Sequence, residues 1–399
     1  MKYLVLLGDG MAGLPLDELG GKTVLQYART PNLDYLASHG QMGMARTVPA
    51  GLPPGSDVAN LSVLGYDPRL YYTGRAPLEA AAMGVELGPD DVAFRCNLVL
   101  LDRLGGHAGD DYRSGRLMRD FSAGHIKTDE ARRLIEILNN ELGGDVRFYP
   151  GVSYRHLMVW KGGGGLVCTP PHDITDKAIA PYLPKGDGAE FVIRLMERSM
   201  DILGQEFRQG VREANSIWLW GQGGKPALPA FRERYNISGA MISAVDLMKG
   251  IAKILGMRVI DVPGATGYID TNYIGKARAA LAALEEADFV YVHVEAPDES
   301  GHAGNVDHKV RAVEDFDEKV VGTALDAVKG KPGFRVLSMP DHPTPIRIKS
   351  HTSDPVPFVL WESGQNKQIN NIGYNEADAA LTGLVVEEGW KLMDRIMEP

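Results

Sequence analysis

A chain of 399 residues, 44% hydrophobic and 24% charged, has the balance of an ordinary globular protein, which excludes a disordered or fibrous chain. Its 42 lysines and arginines against 52 aspartates and glutamates leave a net charge of −10, which argues against nucleic-acid and anionic-membrane partners. The two cysteines, Cys96 and Cys168, exclude a disulfide framework and a thiolate zinc motif, and no apolar run reaches the roughly 18 residues of a membrane span. These features predict a reduced, cytoplasmic protein.

The first element is a buried strand over residues 3–7, too short an apolar run for a signal peptide, that ends in Gly8-Asp9-Gly10. Pro54-Gly55-Ser56-Asp57 then leads into a helical stretch. Ser56 there is either a helix N-cap or a nucleophile held where backbone amides favour a phosphate. From about residue 73 to 213 the pattern changes to turn-rich pieces, a short strand over 154–160, and amphipathic helices over 128–141 (capped by Thr128) and 189–203. Helices are expected next over 242–255, with Ser243 as a candidate cap, and over 276–286 and 309–328. Among them lie strands over 289–294, leading to Asp298, and over 335–339, leading to Asp341. A last strand is expected over 356–361.

Strands alternating with helices predict a parallel sheet covered on both faces, with ligands beyond the carboxyl ends of its strands. Asp9, Asp298 and Asp341 would gather there. Asp9 precedes the turn-rich middle and the other two follow it. The expected organisation is therefore a discontinuous domain, 1–72 and 214–399, with a smaller α+β domain, 73–213, inserted into it.

The last third of the chain concentrates chemistry. Asp298 and His302 are four apart, Asp341 and His342 are adjacent, and His351 follows in Ser350-His351-Thr352. Carboxylates and imidazoles without thiolate suit Mn²⁺, Zn²⁺ or Co²⁺ better than Ca²⁺. Two such ions about 4 Å apart clamp a phosphoryl group under attack.

Gly8-Asp9-Gly10, Pro54-Gly55-Ser56-Asp57, Pro297-Asp298 with Gly301-His302, Pro340-Asp341-His342 and Ser350-His351-Thr352 together resemble the signature of the alkaline-phosphatase superfamily. More closely, they resemble the cofactor-independent phosphoglycerate mutases of archaeal type, and residues 64–68, 72–80, 93–97 and 354–357 extend the likeness over nearly the whole chain. The resemblance implies an α/β fold, an alkaline-phosphatase-like doubly wound, mainly parallel sheet with an inserted domain. It implies one divalent metal on Asp298, His302 and His351 and another on Asp9, Ser56, Asp341 and His342. Mn²⁺ is the expected ion, with Zn²⁺, Co²⁺ and Mg²⁺ as alternatives, and 2,3-bisphosphoglycerate is not required.

In that reading Ser56 becomes a phosphoserine, Lys276 completes the catalytic site, and 2- and 3-phosphoglycerate are interconverted, a step of glycolysis and gluconeogenesis. The partner is a small phosphorylated substrate, and the state a monomer or small homo-oligomer. Candidates for holding the substrate on the insert are Arg75, Arg95, His125, Arg155, His156 and His172, because guanidinium groups recognise carboxylate and phosphate bidentately. Tyr154-Arg155-His156 would put two cationic groups at one strand start.

One stretch departs from the archaeal mutases. Where they carry an arginine-rich run, Asp120-Phe121-Ser122-Ala123-Gly124-His125-Ile126 stands here, with Arg113, Arg116 and Arg119 as substitute donors. With residues 172–177 and 218–223, this run is more similar to a sister branch proposed to act as homoserine kinase. Transfer to an amino-acid hydroxyl, and plain phosphomonoester hydrolysis, are the alternative reactions.

Overall fold

A computed structural model describes residues 1–104, 111–209, 213–364, 367–369 and 371–398. The chain forms two compact units, one of Met1–Tyr72 with Ala227–Pro399 and one of Thr73–Pro226. The strands in chain order are β1 (Lys2–Gly8) and β2 (Gln41–Ala45), then β3 (Asp91–Arg103), β4 (Arg116–Asp120), β5 (Val146–Val152), β6 (Arg155–Lys161) and β7 (Ser216–Gly224). They continue with β8 (Gly239–Ile242), β9 (Arg258–Ile260), β10 (Phe289–Val294), β11 (Phe334–Met339), β12 (Val356–Glu362) and β13 (Val385–Val386).

The first unit is built on one eight-stranded sheet in the order β13-β2-β12-β11-β1-β10-β8-β9. The run β11-β1-β10-β8-β9 is parallel throughout. Every residue of β10 is buried, as are residues 4–8 of β1, because the sheet is covered on both faces. That two-sided burial is why these strands are continuous runs of Val, Leu, Tyr and Phe rather than alternating ones.

β1 lies between β10 and β11, so their carboxyl ends stand side by side, with Gly8 opposite Val294 and Leu7 opposite Met339. Asp9, the segment carrying Asp298, and Asp341 all leave the sheet at that one edge. β12 is antiparallel to β11, so its carboxyl end lies at the opposite end of the sheet, and the acid that ends it, Glu362, pairs there with Arg335 at 2.9 Å.

The second unit is an antiparallel sheet in the order β4-β3-β6-β5, with β7 paired to β3. Its centre is the 13-residue β3, flanked by β6 from Asp91 to Asn97 and by β7 from Val92 to Val99. The amphipathic helices Thr128–Leu142 and Ala189–Gln209 contribute Leu134, Ile135, Leu138, Val192 and Met196 to one core with Phe94, Leu98 and Trp218.

Three local expectations are corrected. The second unit runs to Pro226 rather than to residue 213, because β7 pairs along the whole centre of β3. Ile242 ends a strand and its helix begins only at Asp246, since Ser243 Oγ accepts the amide of Val245 in the turn between them. Thr128 is the first helical residue rather than the cap, and its hydroxyl accepts the amide of Ser153 at 3.1 Å.

Candidate active site

Gly8-Asp9-Gly10 makes the turn that brings the acids together. Gly10 has φ +61, and a Cβ there would come within 2.6 Å of both Asp298 Oδ1 and Thr344 Oγ1. Only glycine serves at a positive φ with so little space. The amide of Gly10 donates to Asp341 Oδ1 at 3.1 Å, and the amide of His342 donates to the same oxygen at 2.9 Å. Asn60 Nδ2 holds the other oxygen of Asp341 at 2.8 Å. Asp341 is thereby fixed from three sides and fully buried.

Around these acids stand two groups of donors. In one, His302 Nε2 lies 3.2 Å and His351 Nε2 3.5 Å from the Asp298 carboxylate, and the two histidine nitrogens are 2.8 Å apart. In the other, His342 Nε2 lies 3.5 Å from Asp9 Oδ1 and 3.4 Å from Asp341 Oδ2. A ring nitrogen of His342 is also within 4.8 Å of donor atoms of Asp298 and His351, so His342 stands between the groups. Ser56 opens the helix Ser56–Val63, and its hydroxyl is 3.1 Å from His342 Nε2. The N-cap of that helix is Gly55, which leaves the Ser56 hydroxyl unused by helix capping.

The electrostatics fit a cation. Burial raises the Asp9 carboxyl well above its ordinary range, and Asp341 and Asp298 push it the same way. Burial would raise Asp298 too, but His302 and His351 outweigh it and hold its carboxyl well below the usual range. Burial lowers the pKa of His342. Asp9 Oδ1 is buried without a hydrogen-bond partner. Like charges this close and this dry require a positive partner, and the oxygen and imidazole donors match a divalent metal such as Mn²⁺ or Zn²⁺.

Two residues of the site escaped the sequence reading. Asn60 donates to the Ser56 carbonyl at 2.9 Å as well as to Asp341, and accepts from Tyr291 at 2.5 Å. His293, on β10, places Nε2 3.0 Å from Asp9 Oδ2. Lys276, expected to complete the site, is fully buried, and its ammonium donates to the His293 carbonyl at 3.0 Å. Among the described residues no hydrogen bond joins Lys276 to Ser56. Burial pulls its pKa down to about 8.

On the second unit, five of the six expected substrate residues converge. Arg75 and Arg95 both pair with Glu79, at 3.1 and 2.9 Å. Burial would raise the Glu79 carboxyl, but the arginines outweigh it and hold it below the usual range, with Arg155 adding to the same field. Arg95 lies over the Trp220 ring at 4.1 Å, and His172 meets the same ring edge-on at 5.3 Å. Phe121 links His172 to Tyr154, whose ring meets His125 at 5.6 Å.

His156 does not join them. It is 3% exposed, pairs directly with the core residue Cys96, and accepts the Gly151 amide at Nδ1. Successive strand residues point to opposite faces, so Arg155 and His156 cannot serve one site. Arg113 and Arg119, considered as substitute donors, are committed to Glu190 and to Asp102 and Asp176.

A doubly wound, mainly parallel sheet with acids and histidines at the carboxyl ends of its central strands, and an α+β unit set into the chain, is the alkaline-phosphatase-like class of α/β protein. A model of the 2,3-bisphosphoglycerate-independent phosphoglycerate mutase family matches residues 37–207. The chain is 53% identical to the 2,3-bisphosphoglycerate-independent phosphoglycerate mutase of Methanosarcina barkeri, with 95% of each chain covered. Among solved structures it is similar to a protein of Pyrococcus horikoshii (TM-score 0.80, 27% identity, 99% of this chain and 96% of that one). It is also similar to the cofactor-independent phosphoglycerate mutase of Thermoplasma acidophilum (TM-score 0.63, 26% identity, 100% and 99% covered). The chain belongs to the 2,3-bisphosphoglycerate-independent phosphoglycerate mutase family.

Proposed function

We propose that this protein interconverts 2- and 3-phosphoglycerate by phosphoryl transfer through Ser56. The observation that carries the reading is the Ser56 hydroxyl, free of capping duty at a helix start and 3.1 Å from His342 Nε2, beside two carboxylate–imidazole groups. Asp298, His302 and His351 would hold one divalent ion, and Asp9, Asp341, His342 and Ser56 the other, with Mn²⁺ as the proposed metal. Bound there, the ions supply neutralisation of the phosphoryl oxygens and acidify the serine hydroxyl.

The chain's own residues do the rest. Ser56 Oγ forms a bond to phosphorus as the bond to the substrate oxygen breaks, and the serine hydroxyl proton passes to the departing oxygen, leaving glycerate and a phosphoserine. The helix start presents backbone amides towards the anionic group. Arg75, Arg95 and Arg155 supply positive charge for the carboxylate, since Glu79 cancels only part of it. Glycerate then presents its other hydroxyl, and the phosphoryl group returns to it. Retention of the phosphoryl group requires that water be kept from the phosphoserine. Glu79 is bonded to two arginines, which leaves it unsuited to hold a substrate ammonium and supports a phosphoglycerate over an amino acid.

The test is a ³¹P NMR time course on metal-loaded protein with 3-phosphoglycerate and no 2,3-bisphosphoglycerate. A parallel arm contains ATP and homoserine. Growth of the 2-phosphoglycerate resonance supports the proposal. Phosphohomoserine formation without it would overturn the proposal, as would release of inorganic phosphate alone.

A further inference from the structure

We infer that His293 is a metal ligand, binding through Nε2 to the same ion as Asp9 and Asp341. This rests on the reading that the site holds divalent metal, and it adds a fourth histidine to the three that the motifs suggest. His293 is the fifth residue of β10, one strand away from Asp9, and is 1% exposed. Its Nε2 is buried with no hydrogen-bond partner, although Asp9 Oδ2 is only 3.0 Å away. The pair is close but not aligned as donor and acceptor. That arrangement is expected of two ligands converging on one ion rather than bonding to each other.

The spacing agrees. Bonds of about 2.1 Å from a divalent ion put neighbouring ligands about 3 Å apart. The Asp9–His293 separation is 3.0 Å, and donor atoms of Asp9, His293 and Asp341 all lie within 4.8 Å of one another. Asp9 Oδ1 is a second buried atom without a hydrogen-bond partner in this group. Two orphaned polar atoms, one on β10 and one on the residue just past the end of β1, are a costly arrangement unless something binds there.

The other ring nitrogen is consistent with ligation. Nδ1 lies 3.3 Å from Ser243 Oγ, and that oxygen already accepts the Val245 amide at 3.0 Å. A metal on Nε2 requires the proton on Nδ1, where it donates to Ser243 Oγ. Metal-bound histidines usually have such a partner on their second nitrogen. Lys276, bonded to the His293 carbonyl, fixes the backbone beneath the ring.

The experiment is pulsed EPR of the full-length protein, stripped with chelator and reloaded with Mn²⁺. Wild type labelled with ¹⁵N-histidine should show four coordinated imidazole nitrogens over two ions, and His293→Gln three. The His293→Gln variant should also bind its weaker Mn²⁺ at least tenfold less tightly by titration. Ser243→Ala should keep all four couplings, which provides a second variant should His293→Gln fold poorly. Three coordinated nitrogens in wild type, or an unchanged count in His293→Gln, would overturn the inference. No Mn²⁺ uptake by wild type would overturn both this inference and the metal reading beneath it.

Discussion

At the scale of single residues, three side chains separate chemistry from scaffold. Ser56→Ala removes the proposed nucleophile from a partly exposed helix start, so turnover should fall by on the order of 10⁴-fold or more while the melting temperature holds. A variant with wild-type kcat would remove Ser56 from the mechanism. Asn60→Leu leaves Asp341 Oδ2 and the Tyr291 hydroxyl without their partner in a dry interior. A loss of about 1–3 kcal/mol by urea unfolding is expected, against a null change if Asn60 is idle.

His156 carries the pH prediction. Burial pushes its pKa down to about 3, below the ordinary 6.5, so the folded state refuses a proton that the unfolded chain accepts. Its contribution is intact above pH 6.5 and is lost as pH falls towards 3. Relative to His156→Phe, wild type should therefore lose stability at up to about 1.4 kcal/mol per pH unit below 6.5. Parallel unfolding curves of the two proteins at pH 7 and pH 5 test this, and an unchanged difference would contradict it.

At the scale of elements, the acids were legible because a parallel strand buried on both faces is an unbroken apolar run. Any acid at its end is therefore conspicuous, as Asp9, Asp298 and Asp341 are. His293 was not legible, because it sits inside such a run, where a lone histidine looks like one more buried residue. Asn60 was hidden in a helix interior, and its partners Asp341 and Tyr291 lie more than 200 positions away. His156 was misread although strand alternation alone separates it from Arg155. Lys276 was placed correctly on its helix, but the fold turns its ammonium to a backbone carbonyl.

One element-scale device had no sequence signal. Thr30, at the start of helix Pro31–His39, makes no capping bond, and Asp317 accepts the amides of Asn32 and Leu33 instead, at 3.2 and 2.7 Å. Asp317 opens a π-helical segment, Asp317–Gly322, in the long expected helix over 309–328. Asp317→Ala should cost about 1–2 kcal/mol, read from the urea midpoint. A change below a few tenths would show that this distant cap adds nothing.

At the scale of the whole molecule, the two units divide the labour by charge. The first concentrates carboxylates and imidazoles at one sheet edge, and the second concentrates arginines and aromatic rings around Trp220. In the proposed reading, this is how a chain with net charge −10 would handle an anionic substrate. Among the described residues no helix is long and apolar enough to cross a membrane. Metal should stabilise the first unit by mass action: Mn²⁺ at a hundred times its dissociation constant adds about 2.7 kcal/mol, visible as a rise in melting temperature that chelator reverses. An unmoved transition would contradict a metal bound to the native state.

The central claim is that the phosphoryl group rests on Ser56 between its two oxygens. The most direct measurement is rapid quenching of Mn²⁺-loaded protein with ³²P-labelled 3-phosphoglycerate in acid, followed by peptide mapping of the label. The account predicts label on the peptide bearing Ser56, appearing and decaying at rates compatible with turnover and absent from Ser56→Ala. Product formation with no label on that peptide at any quench time, or with equal label in Ser56→Ala, would contradict it.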